Sequence, residues 1–264
     1  MSKSVVSLNN VSKSYGELRV LNNLSLTIEE GNIVGLLGPN GVGKTTLLEI
    51  ITGQLSQDSG EVNVLEYDLP SSEKTTYSVT ESIKSSIQGR ELKLINNNRI
   101  TLKEDIGILP ENQTPSSFLS AREYLHTFGE LRGMDKEEID EQIEEWSKKL
   151  QYTQVLDTLC SDLSQGQKQK VMITQAFMHN PEVVFIDEPL ANLDPTIRSI
   201  MIDYLQEYVE DGTKTIVLST HHVDDALRIC SEIHLLHTGA EYEKIENVED
   251  MTNEEVTRRI TDHD

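Results

Sequence analysis

Ile33-Val34-Gly35-Leu36-Leu37-Gly38-Pro39-Asn40-Gly41-Val42-Gly43-Lys44-Thr45-Thr46 decides the fold. Its first five residues form an apolar run of strand length, as expected for a strand buried on both faces in an α/β sheet. After the glycine-rich stretch, the apolar run from Leu47 to Ile51 reads as a helix. Strand, G-x-x-x-x-G-K-[ST] loop and helix, in that order, form the arrangement that cradles a chain of phosphates. The loop Gly38, Pro39, Asn40, Gly41, Val42, Gly43 lets backbone N–H groups curl around β- and γ-phosphates. The helix N-terminus adds partial positive charge, and Lys44 adds a mobile cation. Thr45 is expected to place its hydroxyl on Mg²⁺, and Thr46 closes the motif.

Two further strands extend this reading. Val183-Val184-Phe185-Ile186 is a second buried run, and Asp187 and Glu188 follow at its carboxyl end, where α/β sheets place their ligands. Asp187 is expected in the Mg²⁺ shell. Glu188, one residue further along and so pointing differently, is suited to polarise an attacking water. A third strand, Thr215-Ile216-Val217-Leu218, ends in Ser219-Thr220-His221-His222, where a neutral imidazole at His221 can donate to the γ-phosphate. His222 carries no assigned role. Tyr15, in Lys13-Ser14-Tyr15-Gly16, is either a strand-edge tyrosine or a face for adenine, and spacing alone does not choose.

Composition sets the limits. With 264 residues and 36% hydrophobic content, the chain can bury a sizeable core as one large α/β domain or two lobes. Its longest apolar runs fall far short of the ~20 residues of a membrane span, and no secretory signal is evident, so a cytoplasmic location with no direct membrane insertion is expected. The formal charge of −22, from 45 acidic against 23 basic residues, repels phosphate backbones, so no nucleic-acid partner is expected. Cys160 and Cys230 lack metal-ligand spacing and read as reduced core thiols. In the acidic stretch Asp135 to Glu145, Ile139, Ile143, Trp146 and Leu150 fall at helical spacing, which makes Trp146 core and leaves Glu138, Glu141 and Glu145 in water.

The run Leu163-Ser164-Gln165-Gly166-Gln167, ahead of the carboxylate pair, completes a set of motifs that resembles the nucleotide-binding subunits of ABC transporters. The resemblance covers roughly Val5 to Leu236. Walker A is similar to Gly38 to Thr46, the signature to Leu163 to Gln167, and Walker B to Val183 to Asp187 with Glu188 as catalytic base. The D-loop is similar to Ala191 to Asp194, the switch histidine to His221, and the adenine-stacking position to Tyr15. The resemblance implies a P-loop NTPase fold of the ABC type: a mixed core sheet, an antiparallel β side layer and an inserted helical lobe. It also implies ATP and Mg²⁺ as cofactors, with each ATP lying between Walker A of one copy and Ser164 and Gly166 of a second, and with Gln167 and Asp194 among the nucleotide-binding residues. An integral membrane permease is the implied partner, placing the chain peripherally at the cytoplasmic face of the membrane.

Departures from the pattern carry information. Glu111 stands where the family's Q-loop presents glutamine, with Gln113 two residues on, and an acid there resembles the ABC-2 type exporters and can still approach Mg²⁺. Gln165 replaces the commoner signature glycine, and Ala191-Asn192 replaces Ser-Gly. Between Asp68 and Ile106 the chain is longer than the usual connection, and Leu92 to Leu102 reads as a hairpin with an asparagine-rich turn. Residues 1–112 and 165–240 are expected to form the ATP-binding core, with the insertion at 69–105. Residues 113–164 are expected to form the helical lobe, with Arg122 on its surface or else lining a partner groove, and 241–264 an acidic, weakly patterned tail. The expected function is ATP hydrolysis that powers an exporter through dimer closure. The alternatives are an ATPase driving a soluble partner, as in iron–sulfur assembly, and a nucleotide-gated regulatory module. The substrate is not encoded in these residues.

Overall fold

The computed structural model describes residues 3–69, 71, 105–111, 113–190, 192–237, 242–245 and 247–261. The hairpin expected at 92–102 and the D-loop's Ala191 lie outside the described residues. Two sheets organise the rest. β1 (Ser4–Tyr15), β2 (Leu18–Glu29), β4 (Ser59–Val64) and β5 (Tyr67–Leu69) form an antiparallel sheet in the order β2-β1-β4-β5. β3 (Ile33–Leu37), β6 (Ile106–Leu109), β7 (Val183–Asp187), β8 (Thr215–Ser219), β9 (Glu232–Leu236) and β10 (Tyr242–Ile245) form the core sheet in the order β10-β9-β3-β8-β7-β6. All core pairings are parallel except β10 on β9, so the sheet is mixed, as the sequence implied.

The period of two along each core strand assigns its side chains to opposite faces. Val34, Leu36, Val183, Phe185 and Val217 pack toward the antiparallel sheet and α1 (Lys44–Ile51). Ile33, Leu37, Val184, Ile186, Ile216 and Leu218 pack with the other helices. These are α2 (Ala121–Leu131), α3 (Lys136–Lys149), α4 (Gln165–Phe177), α5 (Pro195–Val209), α6 (Val223–Ile229) and α7 (Asn253–Thr261). Burial on both faces explains why the strands are apolar without alternation. Parity also governs the chemistry: Asp187 continues the Val183, Phe185 series and so emerges on the α1 side.

The helical stretch begins with a capping box at Ser120 and Glu123, and α3 starts at Asp135, whose carboxylate accepts from Glu138 N at 2.9 Å. Ile139, Ile143, Trp146 and Leu150 are buried and Glu138, Glu141 and Glu145 exposed, as expected. Trp146 lies 5.7 Å from the Phe177 ring of α4 and 4.7 Å, edge-on, from the Tyr204 ring of α5, so one side chain ties three helices together. Trp146→Ala should therefore cost about 3–5 kcal/mol, measured by urea unfolding followed by circular dichroism. A loss below about 1 kcal/mol would show that the helices are held together elsewhere.

The C-terminal stretch corrects the sequence reading. Residues 242–245 add an antiparallel edge strand, Ile245, Val248 and Val256 are buried, and α7 packs on α6. Charge conceals this pattern: Lys244 pairs with Glu232 at 3.0 Å and Arg259 pairs with Glu243, so polar side chains hold an element whose apolar anchors are few. Cys160 and Cys230 are buried free thiols, and the Cys230 sulfur packs against Gly35.

Candidate functional site

Gly43 caps α1 in the left-handed region, at φ 112°, with no side chain accepting from the helix and no acidic residue in its first turn. The α1 N-terminus is thus left open to an anion. A Cβ at Gly43 would meet Val20 Cγ1 at 2.7 Å, and one at Gly38 would meet the Leu236 carbonyl oxygen at 2.4 Å, so the loop is pressed between β2 and β9. Lys44 is buried, and its Nζ donates to the carbonyls of Gly38 at 2.7 Å and Pro39 at 3.0 Å. Burial pulls the Lys44 ammonium below its usual pKa, against the opposing pull of Glu188, Asp187 and Glu111.

Asp187 arrives from β7 on the α1 side, and Thr45 Oγ1 donates to its Oδ2 at 2.8 Å, while Ser219 Oγ holds the other oxygen. The two residues assigned to Mg²⁺ therefore converge, and with Glu111 beside Lys44 they offer a set of hard oxygen donors that fits that ion. Glu188 breaks the strand, at φ 53°, a region costly for a residue with a Cβ and commonest at functional sites. Its turn directs the carboxylate at the end of β8. Thr220 Oγ1 donates to Oε2 at 3.1 Å, His221 N to Oε1 at 3.0 Å, and His221 Nδ1 lies 2.6 Å from Oε1.

Asn40, Gly41, Gly43, Lys44, Thr45, Thr46, Glu111, Asp187, Glu188 and His221 line one cavity of about 320 Å³. Val20 completes the lining. Ser219 and Thr220, which orient the two carboxylates, follow from the same strand parity that places Asp187. Val20 carried no sequence signal, since it reaches the loop only because β2 folds across it. Val42 is buried beneath the loop.

The remaining expected residues lie elsewhere in this chain. Tyr15 ends β1 at 49% exposure, with Lys13 Nζ over its ring at 5.9 Å from the centroid, on the hairpin that carries Val20. Ser164 caps α4, accepting from Gln167 N at 3.3 Å, while the Gln167 side chain accepts from Ser164 N at 2.8 Å. Asp194 caps α5 through Thr196 and Ile197 and lies 3.7 Å from Lys170 Nζ. Gly166 faces the Asn192 carbonyl, so the signature loop and the D-loop abut one another within one chain. Ser164, Gly166, Gln167, Asp194 and Tyr15 do not line the 320 Å³ cavity.

The sequence profile of the family described as ABC transporter matches residues 21–191. The chain belongs to the ABC transporter family. It is similar to an uncharacterized ABC transporter ATP-binding protein of Methanocaldococcus jannaschii, 33% identical over 248 residues, 93% of this chain and 80% of that one. It is also similar to the ABC transporter ATP-binding protein NatA of Bacillus subtilis, 30% identical over 223 residues, 84% of this chain and 80% of NatA. Nod factor export ATP-binding protein I of Rhizobium sp. strain N33 is 30% identical over 239 residues, 90% of this chain and 70% of that protein. A solved ATP binding subunit of an ABC transporter superposes with a TM-score of 0.78 at 24% identity, covering 97% of this chain and 99% of that one. cbiO1 from Clostridium perfringens, part of the ABC transporter complex cbiONQ, superposes at 0.70 with 23% identity, covering 97% and 94%. At these identities the two structures speak for the fold.

The ABC chain is therefore a nucleotide-binding ATPase that powers a transporter. Among the described residues, no helix is long and apolar enough to cross a membrane.

Proposed function

We propose that this ATPase drives an export-type permease, and that each ATP is held between Walker A of one copy and the signature loop of a second. One observation carries the reading. The 320 Å³ cavity gathers Lys44, Thr45, Asp187, Glu188 and His221 but none of Ser164, Gly166 or Gln167, which crown an exposed helix start that can be offered to a second subunit. The export direction is supported by the similarity to Nod factor export proteins and by Glu111 at the Q-loop position.

In this reading Thr45, Asp187 and Glu111 hold Mg²⁺, whose charge would offset that developing on the phosphates. The Walker A N–H groups and Lys44 bind the β- and γ-phosphates, Tyr15 stacks on adenine, and Asp194 positions the facing subunit's contacts. Glu188 takes a proton from the attacking water. A carboxylate can only accept, so His221 Nδ1 carries its proton while it rests on Glu188. Neutral His221 then presents Nε2 as an acceptor, and donation to a γ-phosphate requires that the contact with Glu188 be exchanged as nucleotide enters. Glu111 lines both this cavity and a groove of about 370 Å³ bounded by Leu48, Leu109, Gln113 and Phe185, and this shared lining supports a role for Glu111 between nucleotide and a permease segment.

The test is capture of the tagged chain from detergent-extracted membranes of its own cells. The expected partner has about six apolar ~20-residue segments and, with this chain in vesicles, couples ATP hydrolysis to outward transport. Recovery of soluble partners alone would overturn the assignment.

A further inference from the structure

His222 follows the switch histidine and is absorbed by none of the chemistry above. Its ring is exposed, makes no hydrogen bond among the described residues, and lies 4.0 Å, centroid to centroid, from the His221 ring. Glu188, His221 and His222 each offer one ligand atom, all within 4.8 Å of one another. Two imidazoles and a carboxylate are the donor set of a borderline-soft cation, whereas Thr45, Asp187 and Glu111, which line the 320 Å³ cavity with Glu188 and His221 but without His222, are hard oxygen donors. Ligand atoms bonded at about 2.0–2.1 Å around a tetrahedral ion sit roughly 3.4 Å apart, so the 2.6 Å contact of His221 Nδ1 with Glu188 must open slightly while the exposed His222 ring turns inward.

We infer that Glu188, His221 and His222 form an inhibitory site for Zn²⁺ or a cation of its class. Zn²⁺ entering the cluster takes the Nδ1 lone pair of His221, whose proton passes through solvent to Nε2, and takes up the Glu188 carboxylate. The base is then withdrawn from water and the His221 ring is fixed on the metal, while Lys44 and the phosphate loop remain free to hold nucleotide. The site thus arrests hydrolysis without emptying the pocket. The arrest rests on the role proposed for Glu188; the binding does not.

Binding and arrest are therefore tested apart. Isothermal titration of the nucleotide-free full chain with Zn²⁺ should give one site that weakens at least tenfold in His222→Ala and again in Glu188→Gln. Co²⁺ should give the visible bands of a low-symmetry N/O site, absent in His222→Ala. Titrations that are flat, or that are identical in wild type and His222→Ala, would overturn the site. With free Zn²⁺ fixed by a metal-ion buffer and Mg·ATP saturating, wild-type turnover should fall as the site fills. His222→Ala should keep the basal rate and need at least tenfold more Zn²⁺. Equal inhibition of both would overturn the arrest, whereas full activity of Glu188→Gln without Zn²⁺ would overturn only the base assignment.

Discussion

Glu188→Gln should lower ATP turnover by about 10²–10⁴-fold while ATP affinity stays within a few-fold of wild type. The amide has the shape of the carboxylate: its oxygen can still accept from His221 N, and its NH2 can donate to the Thr220 hydroxyl, which turns from donor to acceptor, so both contacts that fix Glu188 in its left-handed turn are kept. Folding and the phosphate cradle are therefore left in place. The amide cannot accept a proton from water. It also removes one negative charge facing Lys44, a change that strengthens phosphate binding rather than weakening it. Single-turnover hydrolysis measured beside nucleotide binding separates the two effects. An unchanged hydrolysis rate would sink the base assignment, and a rate loss matched by an equal loss of affinity would make Glu188 a binding residue.

The convergence of the cavity residues was legible because their motifs sit at strand ends. Once Thr215 to Leu218 is taken as the parallel neighbour of Ile33 to Leu37, and Val183 to Ile186 as the next strand beyond it, Asp187, Glu188 and His221 must meet Lys44 and Thr45 at the carboxyl ends of the strands. Local pattern alone placed them. The C-terminal strand was illegible for the opposite reason: its pairing with β9 is made by backbone groups and ion pairs, which leave no apolar period in Tyr242-Glu243-Lys244-Ile245. Val20 was illegible because a contact across the two sheets has no spacing in sequence. The switch end was only half read: His222 gives no signal by itself, and its interest arises from a ring placed 4.0 Å from His221.

Mixing two inactive variants should restore hydrolysis. Lys44→Ala removes the buried cation of the phosphate loop, and Gly166→Asp sets a negative charge at the start of α4, where a facing phosphate would lie. Each alone should fall at least about 100-fold below wild type, since loss of one positioned charge or donor costs that much in phosphoryl transfer. At Gly166 the first side-chain atom meets only the Asn192 carbonyl, at 3.2 Å, so the change is local and the chain should fold. If the site is shared between subunits, a mixed dimer unites both lesions in one site and leaves the other site whole. Equal amounts that exchange freely form mixed dimers in about half of the pairs, each with one of two sites intact, so about a quarter of the wild-type rate should return. If Walker A and the signature served the same ATP within one chain, every molecule in the mixture would stay broken. Activity at the background of the separate variants, from a mixture in which wild-type controls exchange and turn over, would overturn the composite site.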